Sequence, residues 1–280
     1  MRMAEAPVAM VIGATSKWQS DGRNTHLVHG GDVDDSGFEP EVRWGVGGAI
    51  ALRFAAEGYR VVVTTRSAPN AHGLRQAIVD RGGLCDIVQL DLSQDDSIAE
   101  AFALVRSQFG DPEVLVYNAG YIDGRDLPSE MELLENMPNE VFDTAMAVAC
   151  RGPFMVAKQV LPAMREAGRG SFFITNNSSS LRGRKRHTGQ SLYYPRVMMR
   201  TLAQVLTEEY SEFGVHVANV IVDGLIDSPG TRTLPMAQKN PALVISPAAI
   251  ADAYWYLHTQ DRSVWTHELQ LTPHVSKPSF

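Results

Sequence analysis

Residues 8–13 read Val8-Ala9-Met10-Val11-Ile12-Gly13, and residues 45–48 read Gly45-Val46-Gly47-Gly48. The first is an unbroken apolar run too short for a helix, so it reads as a buried strand stopped by a glycine. The second opens Gly47–Glu57, whose apolar residues recur at i, i+3 and i+4 as a helix packed on a sheet requires. A strand that hands over to a glycine-opened helix suits phosphate: glycine lets the backbone come close, and the unpaired N–H groups of the first helical turn face the charge. A glycine cluster alone is a weak signal, because tight turns use glycine anyway.

Working outward, the same alternation continues. Arg60–Thr65, Cys85–Leu90, Val114–Tyr117, Gly170–Thr175, Val215–Val222 and Glu268–Leu271 read as buried strands, while Ser97–Phe109, Asn139–Arg165 and Tyr193–Phe213 carry helical spacing. Gly58, Gly110, Gly168 and Gly214 stand just past helices as stops. Crossovers between parallel strands are right-handed, so this order predicts an α/β doubly wound parallel sheet, a Rossmann fold, with residues 1–280 as a single domain. Residues 16–43 break the scheme. They are polar and glycine-containing, without either period, and read as a loop inserted into the phosphate-binding junction.

Of the 280 residues, 44% are hydrophobic and 20% charged, which is enough apolar material for two helix-sheet interfaces. A formal charge of −7 argues against a nucleic-acid partner, and the basic run Arg182, Arg184, Lys185, Arg186 reads first as a solvated loop. Cys85 and Cys150 stand far apart and read as core thiols of a reducing compartment. The N-terminal apolar run is too short to span a membrane, so a cytoplasmic protein with no membrane partner is expected. His26, His29, Asp32, Asp34 and Asp35 in the insertion lack a fixing element, so no metal is expected; a lid that packs Trp18 and Trp44 is the favoured role.

The ends of the other strands strengthen the nucleotide reading. Arg66 follows the second strand, where the adenosine ribose falls in this fold; an arginine there suits a 2′-phosphate and favours NADP(H) over NAD(H). Asp91 follows the third strand and Asn118-Ala119-Gly120 the fourth, so small or polar residues line the carboxyl edge where ligands bind. Gly13 with Gly45-Val46-Gly47, Arg66, Leu90-Asp91-Leu92 and Asn118-Ala119-Gly120 together resemble the pattern of the short-chain dehydrogenase/reductase family over nearly the whole chain. The resemblance implies cofactor contacts from Gly13, Thr15, Gly45, Val46, Gly47, Arg66, Asp91, Leu92, Asn118, Ala119 and Gly120. The family's first motif is GxxxGxG, whose second glycine comes four positions after the first; here Gly45 comes 32 positions after Gly13.

The family also places a serine after the fifth strand to polarise a carbonyl, a tyrosine to exchange the proton, and a lysine four residues on to hold the ribose. Here the strand runs into Asn176-Asn177-Ser178-Ser179-Ser180, and Ser179 fits the spacing best. Matching the next helix puts Leu192 at the tyrosine position and Arg196 at the lysine position, and no YxxxK occurs. Tyr193 lies three residues from Arg196, on one helical face, and can pair with it; Tyr194 is the second choice. The family's helix asparagine falls at Ala149. Asp223-Gly224 replaces the Pro-Gly turn, with Asp223 either structural or catalytic, and Gly224 and Ile226 are expected near the nicotinamide.

The expected function is therefore an NADP(H)-dependent oxidoreductase acting on a carbonyl or alcohol through Ser179, Tyr193 and Arg196, with 227–245 as the substrate-side loop. Two alternatives stay open: a lyase of dehalogenase or dehydratase type on the same fold, and a cofactor-binding protein without turnover. The partner is a small-molecule substrate, and the resemblance suggests a homodimer or homotetramer.

Overall fold

The computed structural model describes residues 6–14, 35–120, 135–181 and 193–279, with the side chains of Tyr193 and Tyr194 outside that set. Strands β1 (Val8–Ile12), β2 (Arg60–Thr65), β3 (Leu84–Gln89), β4 (Val114–Tyr117), β5 (Gly170–Asn177) and β6 (Val215–Val222) are followed by a small separate pair, β7 (Leu225–Ile226) and β8 (Val244–Ile245), and then by β9 (Glu268–Leu271). Apart from that pair, the strands form one parallel sheet in the order β3-β2-β1-β4-β5-β6-β9. The direction of strand addition reverses between β1 and β4, which opens a crevice at their carboxyl ends.

Successive side chains on a strand point to opposite faces, and each face has its own core. Ala9 and Val11 of β1 join Val114 and Val116 of β4 under helices α2 (Gly45–Ala56), α3 (His72–Asp80) and α9 (Pro247–His258). Val8, Met10 and Ile12 join Leu115 and Tyr117 under α4 (Asp95–Phe109), α6 (Gly152–Ala167) and α7 (Tyr193–Tyr210). Phe54 and Phe102 are fully buried, one on each face. Cutting such a ring back to alanine costs about 3–5 kcal/mol.

The strands fall where the apolar runs place them, within one or two residues. Other features differ from the sequence reading. The helices α3 and α9 are additional: α3 buries only Leu74 and Ile78, too few to mark a face, whereas α9 buries Ile250, Ala251, Tyr254 and Leu257 at helical spacing behind a Ser246-Pro247 start. The end of the 16–43 segment is helical, as α1 (Pro40–Arg43). The expected 227–245 loop holds α8 (Pro235–Lys239) and short 3₁₀ turns. Of the two thiols, Cys85 is buried and pushed up to about 12 by desolvation, while Cys150 is half-buried.

The long helix expected over 139–165 is α5 (Asn139–Met146) and α6 joined by a π-helical turn, Ala147–Arg151. Such a turn disturbs the normal i→i−4 ladder and often sits beside a functional site. The buried Tyr117 hydroxyl donates to the Val148 carbonyl inside it, and a Cβ on Gly152 would stand 2.5 Å from that hydroxyl oxygen.

At the opposite, amino edge of the sheet a polar chain runs through the core. Tyr59 donates to Glu113 Oε1 at 2.9 Å, His258 Nε2 lies 2.7 Å from the Tyr59 hydroxyl, and His258 Nδ1 lies 2.9 Å from Ser171 Oγ. With the Tyr59 proton spent on Glu113, a neutral His258 satisfies both neighbours: Nε2–H donates to Tyr59 and Nδ1 accepts from Ser171. Burial holds the His258 pKa below its ordinary value against the upward pull of Glu113. A histidine kept neutral in the fold contributes stability above its unfolded pKa of about 6.5 and loses it as pH falls toward the folded value. The depressed carboxyl groups of Asp223 and Glu268 lose their share only at lower pH. Urea denaturation should therefore show a midpoint that falls between pH 7 and 5.5, with a smaller fall in His258→Gln.

Candidate nucleotide and catalytic site

Strand β1 ends at Gly13 with φ 79°, and α2 opens at Gly45 with φ 65°. At Gly13 and Gly47 the backbones pack without room for a side chain. A Cβ on Gly13 would stand 2.6 Å from Ala119 Cα; one on Gly47 would stand 2.8 Å from both Ala14 Cα and Asn118 Nδ2. Asn118 ties the parts together, donating from Nδ2 to the Gly13 carbonyl at 2.8 Å and from its backbone N–H to Ile12 at 2.9 Å. Gly13, Gly47 and Asn118 thus meet at one point although Gly13 and Gly45 are 32 positions apart in sequence. Among the described residues no side chain caps the N-terminus of α2, so none of them takes up the amides of its first turn. Thr15 and the stretch 16–34 lie outside the described residues.

Trp44 belongs to the core, not to a lid. Its side chain is 4% exposed, against Gly48, and its Cζ2 would stand 3.0 Å from a Cβ on Gly73. The Arg43 guanidinium lies 4.9 Å over the Trp44 ring and pairs with Asp35 at 3.0 Å. Arg43 Nε and Trp44 Nε1 are buried donors with no hydrogen-bond acceptor among the described residues. Trp18 lies outside the described residues.

Along the carboxyl edge, Arg66 is exposed immediately after β2. The Asp91 carboxylate accepts from Ser93 N–H at 2.9 Å and Ser93 Oγ at 2.7 Å, which shapes the turn after β3, and Leu92 packs on the core beside it. Gly120 lies directly under the Arg196 guanidinium, which occupies the space a side chain there would need. Arg196 therefore reaches the Asn118-Ala119-Gly120 turn from α7. Its backbone is also held, because Asn176 Nδ2 donates to the Arg196 carbonyl at 3.1 Å and to Asn219 Oδ1 at 3.2 Å. Asn219 in turn donates to Glu268 at 3.1 Å, and Glu268 takes a two-pronged bond from Arg200 of α7, both arms at 2.7 Å. Asn176 and Asn219 are buried polar residues inside apolar strands, a signal the sequence reading leaves unused.

The serine run forms a 3₁₀ turn after β5. Asn177 Oδ1 accepts from Ser179 N–H at 3.0 Å, and the buried Ser180 donates to the Asn177 carbonyl at 2.7 Å. Burial raises the Asp223 pKa, but hydrogen bonds from Ser279, Gln270 and Ser178 outweigh it and hold the carboxyl below its ordinary value. Gly224 is pressed between Ile245 and Pro273, and Ile226 lies half-buried in β7. Ala149 is buried within the π-helical turn. Tyr193 and Tyr194 stand in the first turn of α7, and Leu192 lies outside the described residues.

These residues fit a dinucleotide diphosphate. The glycine backbones would admit its approach, the uncapped amides of α2 face the place it would take, and two buried donors adjoin that helix start. Among the described residues no group of three or more His, Cys, Asp or Glu could hold a metal ion, and no helix is long and apolar enough to cross a membrane.

Comparison with known proteins bears on this geometry. Residues 42–268 match the family model described as enoyl-(acyl carrier protein) reductase. The chain is 30% identical over 231 residues to 2-(R)-hydroxypropyl-CoM dehydrogenase of Xanthobacter autotrophicus, covering 78% of this chain and 88% of that one. It is 29% identical over 226 residues to 3-oxoacyl-[acyl-carrier-protein] reductase MabA of Mycobacterium bovis, covering 78% and 83%. The crystal structure of a metagenomic short-chain oxidoreductase in complex with NADP superposes with a TM-score of 0.72 at 24% identity, over 97% of this chain and 99% of that chain.

Gly47→Val tests the cradle. Its side chain has nowhere to go but into Gly13, Ala14 and Asn118, so it should cost about 1–3 kcal/mol of stability. Nucleotide binding, followed by calorimetric titration, should weaken at least about tenfold.

Proposed function

We propose a function from one premise: the chain belongs to the short-chain dehydrogenase/reductase family. It is an oxidoreductase of that type, dependent on a nicotinamide dinucleotide. Within that class we read it as an NADP(H)-dependent enzyme that interconverts a carbonyl and an alcohol through an atypical centre of Ser179, Tyr193 and Arg196. The observation that carries this reading is the Arg196 guanidinium lying against Gly120, beside a glycine cradle that has closed.

The cofactor supplies hydride chemistry at its nicotinamide. Gly13, Thr15, Gly45, Val46 and Gly47 bind its diphosphate, with α2 amides as donors. Arg66 meets the 2′-phosphate, to which a guanidinium offers a planar fork of donors. Asp91 and Leu92 border the adenine, and Asn118, Ala119 and Gly120 form the wall on which the ribose rests. Gly224 and Ile226 border the nicotinamide.

Arg196 donates to the ribose and, three residues from Tyr193 on one helical turn, stabilises its phenolate. A guanidinium stays protonated across the working range, so it holds a proton-transfer partner in place without relaying a proton itself. Tyr117 does not substitute as the acid: it is fully buried, and desolvation raises its pKa far beyond any downward pull from Arg196. Ser179 polarises the substrate oxygen from the turn after β5. Phe154 of α6 and Met198 and Val205 of α7 are exposed apolar residues, and we assign a homodimer or homotetramer contact to these helices.

One preparation tests the reading. NADPH should raise the melting temperature more than NADH does, and Arg66→Glu should cut NADPH affinity about tenfold or more while leaving NADH nearly unaffected. Arg196→Ala should lower kcat/KM by about a hundredfold on whichever carbonyl in a panel oxidises NADPH at the nicotinamide absorbance. Absence of a shift with either nucleotide overturns the oxidoreductase reading in favour of a lyase, and a shift without turnover favours a cofactor-binding protein.

A further inference from the structure

We infer that Asp223 is a positioning residue that pins the C-terminal segment 272–279 into the wall of the reacting end, so that this segment helps to bind the substrate. The inference rests on the proposed function for its substrate, but not for its structural claim.

Asp223 ends β6 at the carboxyl edge, beside the serine turn that ends β5, and is 5% exposed. Its Oδ2 accepts from the Ser279 backbone N–H at 2.7 Å, from Gln270 Nε2 at 2.8 Å and from Thr272 Oγ1 at 3.4 Å. The end of β9 and the segment that follows it, out to Ser279, therefore converge on one anion at the end of β6. A buried carboxylate that receives this many donors is stable as the anion and makes a poor proton acceptor. Of the two roles open to Asp223 at the outset, the geometry favours fastening over catalysis.

The fastened segment does not lie idle on the surface. Ser279 is itself 5% exposed, and Ser276 N–H closes a turn onto the Pro273 carbonyl at 2.8 Å. A Cβ on Gly224 would stand 2.7 Å from Ile245 Cδ1 and 2.9 Å from Pro273 Cδ, so the substrate-side loop and the C-terminal segment close over Gly224 together. Beside this contact is a cavity of about 350 Å³, lined by Val244, Ile245, Leu271, Thr272, Pro273 and His274 among others. That volume suits a small molecule, and a mixed lining, apolar from Val244, Ile245, Leu271 and Pro273 and polar from Gln270, Thr272 and His274, suits a substrate that carries both an apolar body and polar groups. Thr272, Pro273 and His274 are thereby assigned as specificity-determining residues.

The test uses the full chain and removes only the fastening. Ser279→Pro deletes the Ser279 N–H that bonds Asp223, and Asp223→Asn removes the charge at nearly constant shape. Hydrogen exchange followed by mass spectrometry should show 272–279 losing protection about tenfold or more in both variants, with NADPH affinity within about twofold of the parent. On a carbonyl the parent reduces, KM should rise about tenfold in both variants. For Ser279→Pro, kcat should change much less, because the end of the chain touches the binding wall and not the reacting atoms. Unchanged protection of 272–279 in both variants overturns the fastening, and lost protection with unchanged KM overturns the role in binding. Failure of the parent to bind NADPH or NADH overturns the oxidoreductase reading instead, and the exchange measurement still decides whether Asp223 holds the segment.

Discussion

The structure depends on the direct backbone contact between Gly47 at the head of α2 and Gly13-Ala14 at the end of β1. A helix can point its first amides at a ligand above a parallel sheet only if it packs close enough to the strand; a Cβ on Gly47 would hold the two apart, and one on Gly13 would push into Ala119 after β4. Asn118 adds a hydrogen bond from the next strand to the Gly13 carbonyl, so β1, β4 and α2 are locked at the point where the sheet changes direction. Gly13 and Gly45 stand 32 positions apart in sequence, and the contact is nonetheless made.

The remaining parts of the site are held from the other half of the sheet. The Asn176–Asn219–Glu268–Arg200 chain runs from β5 through β6 and β9 to α7 and fixes the turn that carries Arg196. Buried amide side chains inside apolar strands are costly unless every group finds a partner, and here they hold a functional helix in register. The π-helical turn before α6 presents its Val148 carbonyl to the Tyr117 hydroxyl, directly below the Gly120 turn that receives the arginine. The reacting end is thus framed by groups whose own hydrogen bonds are largely satisfied.

Much of this was legible in the sequence because it depends on local pattern. Fully buried strands read as apolar runs, and Gly13 and Gly45 mark conformations with positive φ. Arg196 could be placed by counting along the helix. What was not legible depends on contacts between distant segments. The α3 helix buries only two side chains, so it has almost no face to read. Trp44 looks like a loop residue until α3 supplies Gly73 to pack against. Asp223 shows itself only as a carboxylate in a turn, and its partners Gln270, Thr272 and Ser279 arrive from the far end of the chain.

The most direct measurement is a crystal structure grown with NADPH. The account requires electron density for the diphosphate against the amides of Gly45, Val46 and Gly47, with Arg196 over Gly120 and the Gly13–Gly47 contact intact. Density for residues 15–34 filling that same space, with no diphosphate bound, would contradict it.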